Sequence, residues 1–194
     1  MKNDKKTSVK NRIIEASWKL FLEQGYENTT IEQIVKLSNT SRGAFYHHFH
    51  GKEEVLFYIA YRFDEDYEKW WESVDPNLNA LEKLKEFNLF VMESLENSPY
   101  RQLFATLYGL QVMTNNKRHI INPDRTYYKI ISAIIKEGID KGEIKSKFAY
   151  QELTEWYAIL ERGLTYDWCL KQGRYSLVQY GQQIIKAFID TIKA

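Results

Sequence analysis

A chain of 194 residues, 44% hydrophobic and 27% charged, has an ordinary globular composition and enough length to bury a core. Its one cysteine, Cys169, excludes an internal disulfide and a multi-cysteine zinc site, and no apolar run approaches a membrane span. The net charge of +1 hides an asymmetry: residues 1–52 hold nine Lys/Arg against five Asp/Glu, and the remainder holds 18 against 21. A basic front on an acidic body points to a polyanion as the partner of the front. No signal peptide precedes the first periodic segment, so a cytoplasmic protein is expected.

From Ser8 to Gln24 the apolar positions Val9, Ile13, Ile14, Ala16, Leu20 and Phe21 follow helical spacing, with Ser8 as cap and Gly25 as stop. Thr30 and Gln33 stand at capping-box spacing and open a short second helix that ends near Leu37. Ser38 and Asn39 form a turn, because asparagine enters the left-handed region cheaply. Ser41 caps a third helix over about Arg42 to His48. After Gly51, Val55, Leu56, Ile59, Phe63, Tyr67 and Trp70 mark a fourth helix from Lys52 to Trp71, with Glu53 and Glu54 favoured in its first turn by the helix dipole.

Longer helices follow. One covers Asn79 to Asn97. Ser98-Pro99 and Asn122-Pro123 each read as a cap followed by proline at the first helical position, opening helices to about Asn115 and Lys141. Lys147 to Gln172, stopped by Gly173, is the longest segment, and Ser176 to Ile192 is the last. With three prolines and no convincing strand, the fold class is all-α, about nine helices.

The second and third helices, joined by a tight polar turn and covered by the first, have the outline of a helix-turn-helix over about residues 30–49. In that motif the second helix lies in the major groove with its N-terminal residues toward the bases. The stretch TSRGAFYHHFHGK at 40–52 suits the task. Thr40 and Ser41 bring hydroxyls. Arg42 can reach a phosphate or pair with guanine, and Gly43 and Ala44 let backbone approach the duplex. Phe45 and Phe49 should point inward. Tyr46, His47 and His48 carry polar atoms outward, and Lys52 adds an ammonium at a helix start, where a phosphate is favoured. Three of the four histidines, His47, His48 and His50, fall here. Consecutive helix positions point about 100° apart and no carboxylate or thiol set completes a ligand shell, so no metal is assigned. No nucleophile–base pairing is evident, and no cofactor is implied.

The spacing from Ser8 to Ile59 resembles the DNA-binding domain of the tetracycline-repressor-like (TetR) transcriptional regulators. The matching residues are Phe21, Gly25 and Tyr26, then Thr29, Thr30 and Ile34, then Ser41, Gly43, Tyr46, His48, Phe49, Lys52, Glu53 and Leu56. The turn departs from the family's usual Ala-Gly-Val, reading Ser38-Asn39-Thr40. Lys36 and Leu37 beside it are similar to the multidrug-sensing branch. The resemblance implies a DNA-binding domain at 1–51 and a ligand-binding and dimerisation domain at 52–194. It also implies DNA contacts from Thr30, Thr40, Ser41, Arg42, Gly43, Ala44, Tyr46, His47, His48 and Lys52, and double-stranded operator DNA as partner.

One recognition helix gives too few contacts for a specific site, so a homodimer reading a palindrome is expected. Its interface is assigned to the last two helices: Leu153, Trp156, Leu160, Leu164 and Trp168 with Gly163 on one, Leu177, Ile184, Ile185, Phe188 and Ile192 on the other. The aromatic group Tyr67, Trp70, Trp71, Tyr100, Phe104, Tyr108, Trp156 and Tyr157 suits an aromatic or lipophilic small-molecule effector. Cationic effectors are included, with Glu155 and Glu161 adding negative charge. The expected mechanism is repression relieved by the effector through the fourth helix, roughly 30 Å from Lys52 to Trp71. An enzyme using the histidine-rich stretch and a helical ligand carrier without DNA function are the alternatives. Neither needs the ordered motif from Thr29 to Lys52.

Overall fold

The computed structural model describes residues 8–115 and 117–194. Lys2, Lys5 and Lys6 of the basic front lie outside the described residues. Nine α-helices make up the described chain: α1 Val9–Gln24, α2 Ile31–Leu37, α3 Arg42–His48, α4 Lys52–Ser73, α5 Ala80–Glu96, α6 Phe104–Met113, α7 Thr126–Asp140, α8 Tyr150–Leu170 and α9 Leu177–Ile192. A 3₁₀ turn, Arg101–Leu103, leads into α6. Among the described residues the one β feature is an isolated bridge between Ile144 and Lys193. No described helix is long and apolar enough to cross a membrane.

The local signals act as their chemistry requires. Ser8, Thr30, Ser41, Asn79 and Ser176 each accept a bond from a backbone N–H in the first turn of their helix. Thr30 with Gln33 and Asn79 with Glu82 close capping boxes. Gly25 stops α1 at φ 87°, and Asn39 takes φ 49° in the turn between α2 and α3.

Both proline signals act differently from the expected first helical position. The Ser98 hydroxyl accepts from Tyr100 N–H, and its carbonyl accepts from Arg101 N–H. Asn122 does the same, its side chain accepting from Asp124 N–H and its carbonyl from Arg125 N–H. Each proline therefore sits second in a β-turn, where its fixed φ is equally suited, and the helix starts a few residues later. α8 likewise begins at Tyr150 and not at Lys147.

The chain forms two compact units. The first runs to Ala60 and includes Gln102–Ile120, and the second takes Tyr61–Arg101 and Ile121–Ala194. In the first, α1, α2 and α3 pack mutually. Ile13, Ile34 and Phe45 are wholly inaccessible, as are Val55, Leu56 and Ile59 of α4. The Trp18 indole donates to the Val55 carbonyl at 3.0 Å, joining α1 to α4. In the second unit, α5 packs on α7 and α9, and α8 on the same two helices. Small residues bring these helices close: a Cβ on Gly138 would lie 2.6 Å from Ile144 Cδ1, and one on Gly181 2.6 Å from Met92 Cγ. Gly163, expected at a close approach, has open space around it.

Candidate functional site

The helix-turn-helix is held by contacts that only the fold reveals. Arg12 of α1 donates to the carbonyls of Ser38 at 3.3 Å and Asn39 at 3.2 Å, fixing the turn from below. The Ser38 and Thr40 hydroxyls share a hydrogen bond at 2.8 Å, and Thr40 N–H donates to Val35 O. The unusual Ser-Asn-Thr turn is thus closed by its own polar atoms in place of apolar packing. Phe45 and Phe49 point inward as expected, their rings 5.9 Å apart, with Tyr58 edge-on to Phe49.

Most of the residues assigned to DNA lie on the outer surface of this motif. Thr30, Ser41, Arg42, Gly43, Tyr46 and His47 are exposed, while Thr40, Ala44, His48 and Lys52 are half-buried. Thr30 and Ser41 use a lone pair in capping, which leaves each hydroxyl proton to donate outward. Arg42 pairs with Glu32 of α2 at 2.9 Å, both well exposed, a contact worth at most about 1 kcal/mol and easily exchanged for a phosphate. Tyr46 stands edge-on to Phe45 with almost half its surface exposed, so its root is fixed and its hydroxyl is outward. His47 and His48 sit with ring centroids 4.9 Å apart, and His50 pairs with Glu54. Among the described residues no group of three His, Cys, Asp or Glu could hold a metal ion.

Lys52 has a role the sequence did not disclose. Its ammonium donates to the carbonyls of Tyr26 at 2.7 Å, Thr29 at 3.1 Å and Glu27 at 3.3 Å, and lies 4.3 Å from the Tyr26 ring centre. All three of its protons are committed to the loop between α1 and α2, so a phosphate at Lys52 would compete with these bonds. Lys52→Met keeps the apolar stem and strands the carbonyls. The expected cost is about 1.5–3 kcal/mol, read as a lower urea midpoint at unchanged slope.

In the second unit, Tyr67 is buried at 3% exposure and meets Phe87, Phe90 and Tyr127 at centroid distances of 5.6, 6.1 and 6.1 Å. Trp70 packs on Phe87 at 4.8 Å and beside Trp71. Tyr157 is inaccessible, its hydroxyl donating to Leu84 O at 2.9 Å. Tyr100 is half-buried just beyond the Ser98 turn. Phe104 and Tyr108 belong to α6 in the first unit. Trp156 does not join the Tyr67–Trp70 cluster: it faces outward at 38% exposure and packs on Phe148 at 4.5 Å.

A carboxyl sits at the heart of this unit. Glu161 of α8 is 4% exposed and accepts from Asn88 Nδ2 of α5 and from the Tyr127 hydroxyl of α7, both at 2.6 Å. Asn88 Oδ1 in turn accepts from Gln182 of α9 at 2.9 Å. Burial pushes the Glu161 carboxyl up to about 7, against the opposing pull of these donors. Glu155, the other acid singled out in the sequence, is exposed.

Most of the residues assigned to dimerisation lie in the chain's own core. Leu153, Leu164, Trp168, Leu177, Ile185, Phe188 and Ile192 are all buried in the chain's own second unit, and Leu160 and Ile184 are half-buried. The apolar side chains that α8 leaves outside are Trp156, Ile159, Tyr166 and Leu170, at 38%, 51%, 46% and 65% exposure. Their spacing of three, seven and four residues forms one stripe, with Gly163 between the second and third and Tyr180 of α9 exposed as well. Periodicity could not separate these two faces, because both sides of α8 are apolar.

Fold and site together define a helix-turn-helix protein whose second compact unit is also all-helical. Residues 13–59 match the family described as bacterial regulatory proteins, tetR family. Residues 13–59 therefore carry a tetR-type DNA-binding domain, and the chain as a whole is similar to transcriptional regulators with that domain. It is 28% identical over 139 residues to the HTH-type transcriptional regulator QacR of Staphylococcus aureus, covering 70% of this chain and 73% of that protein. It is 24% identical to the fatty acid metabolism regulator protein of Bacillus subtilis, covering 93% and 94%. Among solved structures it shares the fold of Thermus thermophilus FadR, a repressor in complex with lauroyl-CoA, with a TM-score of 0.76, 18% identity and 93% of each chain covered. It also shares that of SmeT, the repressor of a Stenotrophomonas maltophilia multidrug efflux pump, with a TM-score of 0.72, 17% identity, and 97% and 92% covered.

Proposed function

We propose that this regulator is a cytoplasmic, non-enzymatic repressor. It binds a palindromic operator as a homodimer and is released by an aromatic or lipophilic small molecule, cationic ones included. The observation that carries the reading is the exposed surface of α3 on a closely tied helix-turn-helix, with Arg42, Tyr46 and His47 outward and Phe45 and Phe49 inward. Domain limits of 1–51 for DNA binding and 52–194 for effector binding and dimerisation are proposed on the motif's end at Phe49 and the start of α4, the compact unit around the motif also taking in residues 52–60 and 102–120. DNA contacts are assigned to Thr30, Thr40, Ser41, Arg42, Gly43, Ala44, Tyr46, His47 and His48. Lys52 contributes by holding the α1–α2 loop in place.

The effector class is supported by the aromatic cluster around Tyr67 and Trp70, and by relatives whose names and complexes include fatty-acyl-CoA and multidrug regulation. Trp71, Tyr100 and Tyr157 of the second unit remain assigned to the effector, Phe104 and Tyr108 fall in the first unit and leave this group, and Trp156 is reassigned to the dimer surface. That surface is the α8 stripe of Trp156, Ile159, Tyr166 and Leu170, with Tyr180, since among the described residues it is the apolar face of α8 that the chain's own core leaves open.

Selection from a random duplex pool, followed by affinity measurement at two salt concentrations, tests the reading. A two-fold symmetric site and a steep loss of affinity with salt are expected. Tyr46→Ala and Arg42→Ala should each weaken operator binding about 5- to 100-fold, corresponding to about 1–3 kcal/mol, with urea midpoints unchanged. Failure to enrich any sequence, with variants equal to wild type, would favour a helical carrier without DNA function.

A further inference from the structure

One interaction in the second unit is stronger in geometry than stability requires. Asp64 of α4 and Arg125, just before α7, are 7% and 8% exposed. They pair through a fork, Nε to Oδ2 at 2.9 Å and Nη2 to Oδ1 at 3.0 Å. Oδ1 also accepts from the Tyr127 backbone N–H at 3.3 Å. α7 has no side-chain cap of its own: Arg125 holds the N-cap position and makes no capping bond. Asp64 therefore caps α7 from another helix, with its charge at the positive end of the α7 dipole. The Asn122–Pro123 turn delivers Arg125 to this spot through the bond from Arg125 N–H to Asn122 O.

A buried ion pair of this kind gains little over a well-packed apolar pair, because desolvation offsets the attraction. What the fork supplies is direction: two parallel bonds and a cap from one carboxylate fix both the rotation and the axial position of α4 against α7. α4 is one continuous helix, and its first turns carry Val55, Leu56 and Ile59, the core residues beneath the helix-turn-helix. On the other side, Tyr127 links the clamp to Glu161 of α8 by its hydroxyl at 2.6 Å. A rearrangement around Glu161 is thus one residue away from the carboxylate that holds α4.

We propose that Asp64 and Arg125 are the positioning pair that fixes α4 against α7, and that operator affinity depends on this clamp. The inference rests on the repressor reading for its consequence at DNA and on geometry for the clamp itself.

The test uses the full chain with Asp64→Leu combined with Arg125→Met, an apolar pair, and separately Arg125→Lys, which keeps the charge but not the fork. The double variant should unfold cooperatively within a few degrees of wild type. Amide exchange over residues 52–60 should rise at least tenfold, and affinity for the operator selected by wild type should fall at least tenfold, with non-specific salt-dependent binding retained. Arg125→Lys should fall between, and it carries the same test should the apolar pair not fold. Unchanged exchange over 52–60, or loosening confined to the first turn of α7, with operator affinity within twofold of wild type, would overturn the clamp and leave a merely structural pair. If wild type selects no operator, the repressor reading fails, and the exchange measurement still decides the clamp.

Discussion

Phe45→Ala is expected to abolish operator binding by unfolding the helix-turn-helix and not by removing a DNA contact. Phe45 is inaccessible, sits on the third of three short helices, and packs against Phe49 and the apolar faces of α1 and α2. Helices of seven residues have almost no stability of their own. Their order depends on the shared core of Ile13, Ile34, Phe45 and Phe49. Removing a buried phenyl ring costs about 3–5 kcal/mol, a large part of what a domain of this size has. Hydrogen exchange separates the two explanations by location. Amides over residues 9–49 should lose most of their protection while those of α5, α8 and α9 keep theirs. The neighbouring Tyr46→Ala should weaken DNA binding with protection intact. Protection retained at 9–49 in Phe45→Ala, with DNA binding lost, would mean that α3 is held by something other than this core.

The contrast between those two adjacent residues was legible in the sequence, because α3 is short enough for one turn of periodicity to sort inward from outward. The caps at Ser8, Thr30 and Ser41 were legible for the same reason: each is a bond between residues three apart. What escaped was whatever depends on a distant partner. Lys52 reads as a free cation at a helix start, yet its protons go to carbonyls 23 to 26 residues away. Asp64 carries no local signal in the sequence, and nothing near it reveals Arg125, 61 positions on. Asn122-Pro123 satisfies a helix-start pattern and a turn pattern equally, and the fold holds the turn form, with Arg125 just past it on Asp64. The outer stripe of α8 escaped for another reason. When both faces of a helix are apolar, spacing cannot say which one the chain itself covers.

Glu161→Gln is expected to change the pH dependence of stability more than any other single substitution in the second unit. The wild-type carboxyl is held at about 7 by burial, against an ordinary value of 4.5. A raised folded value means that the folded chain keeps a proton the unfolded chain has already lost. Stability from this group is therefore fully present below about pH 4.5 and is lost as pH rises through about 7, a loss on the order of 3 kcal/mol by pH 8. Above that range the ionised carboxylate has Asn88, Tyr127 and Tyr157 to replace its hydration, the Tyr157 hydroxyl being shared with Leu84 O. Glutamine mimics the protonated form: its oxygen accepts from Asn88, and its amide donates to the Tyr127 oxygen. Urea unfolding between pH 5 and 8.5 should show the two proteins nearly equal at the acid end. The variant should be more stable by on the order of 3 kcal/mol at the alkaline end. Parallel profiles would show that the carboxyl ionises as easily as an exposed one, and so that water reaches Glu161 in solution. The same measurement bears on effectors. A cationic molecule entering this unit would meet a group that gains its full charge only above pH 7, so its affinity should rise across the same interval and stay flat in Glu161→Gln.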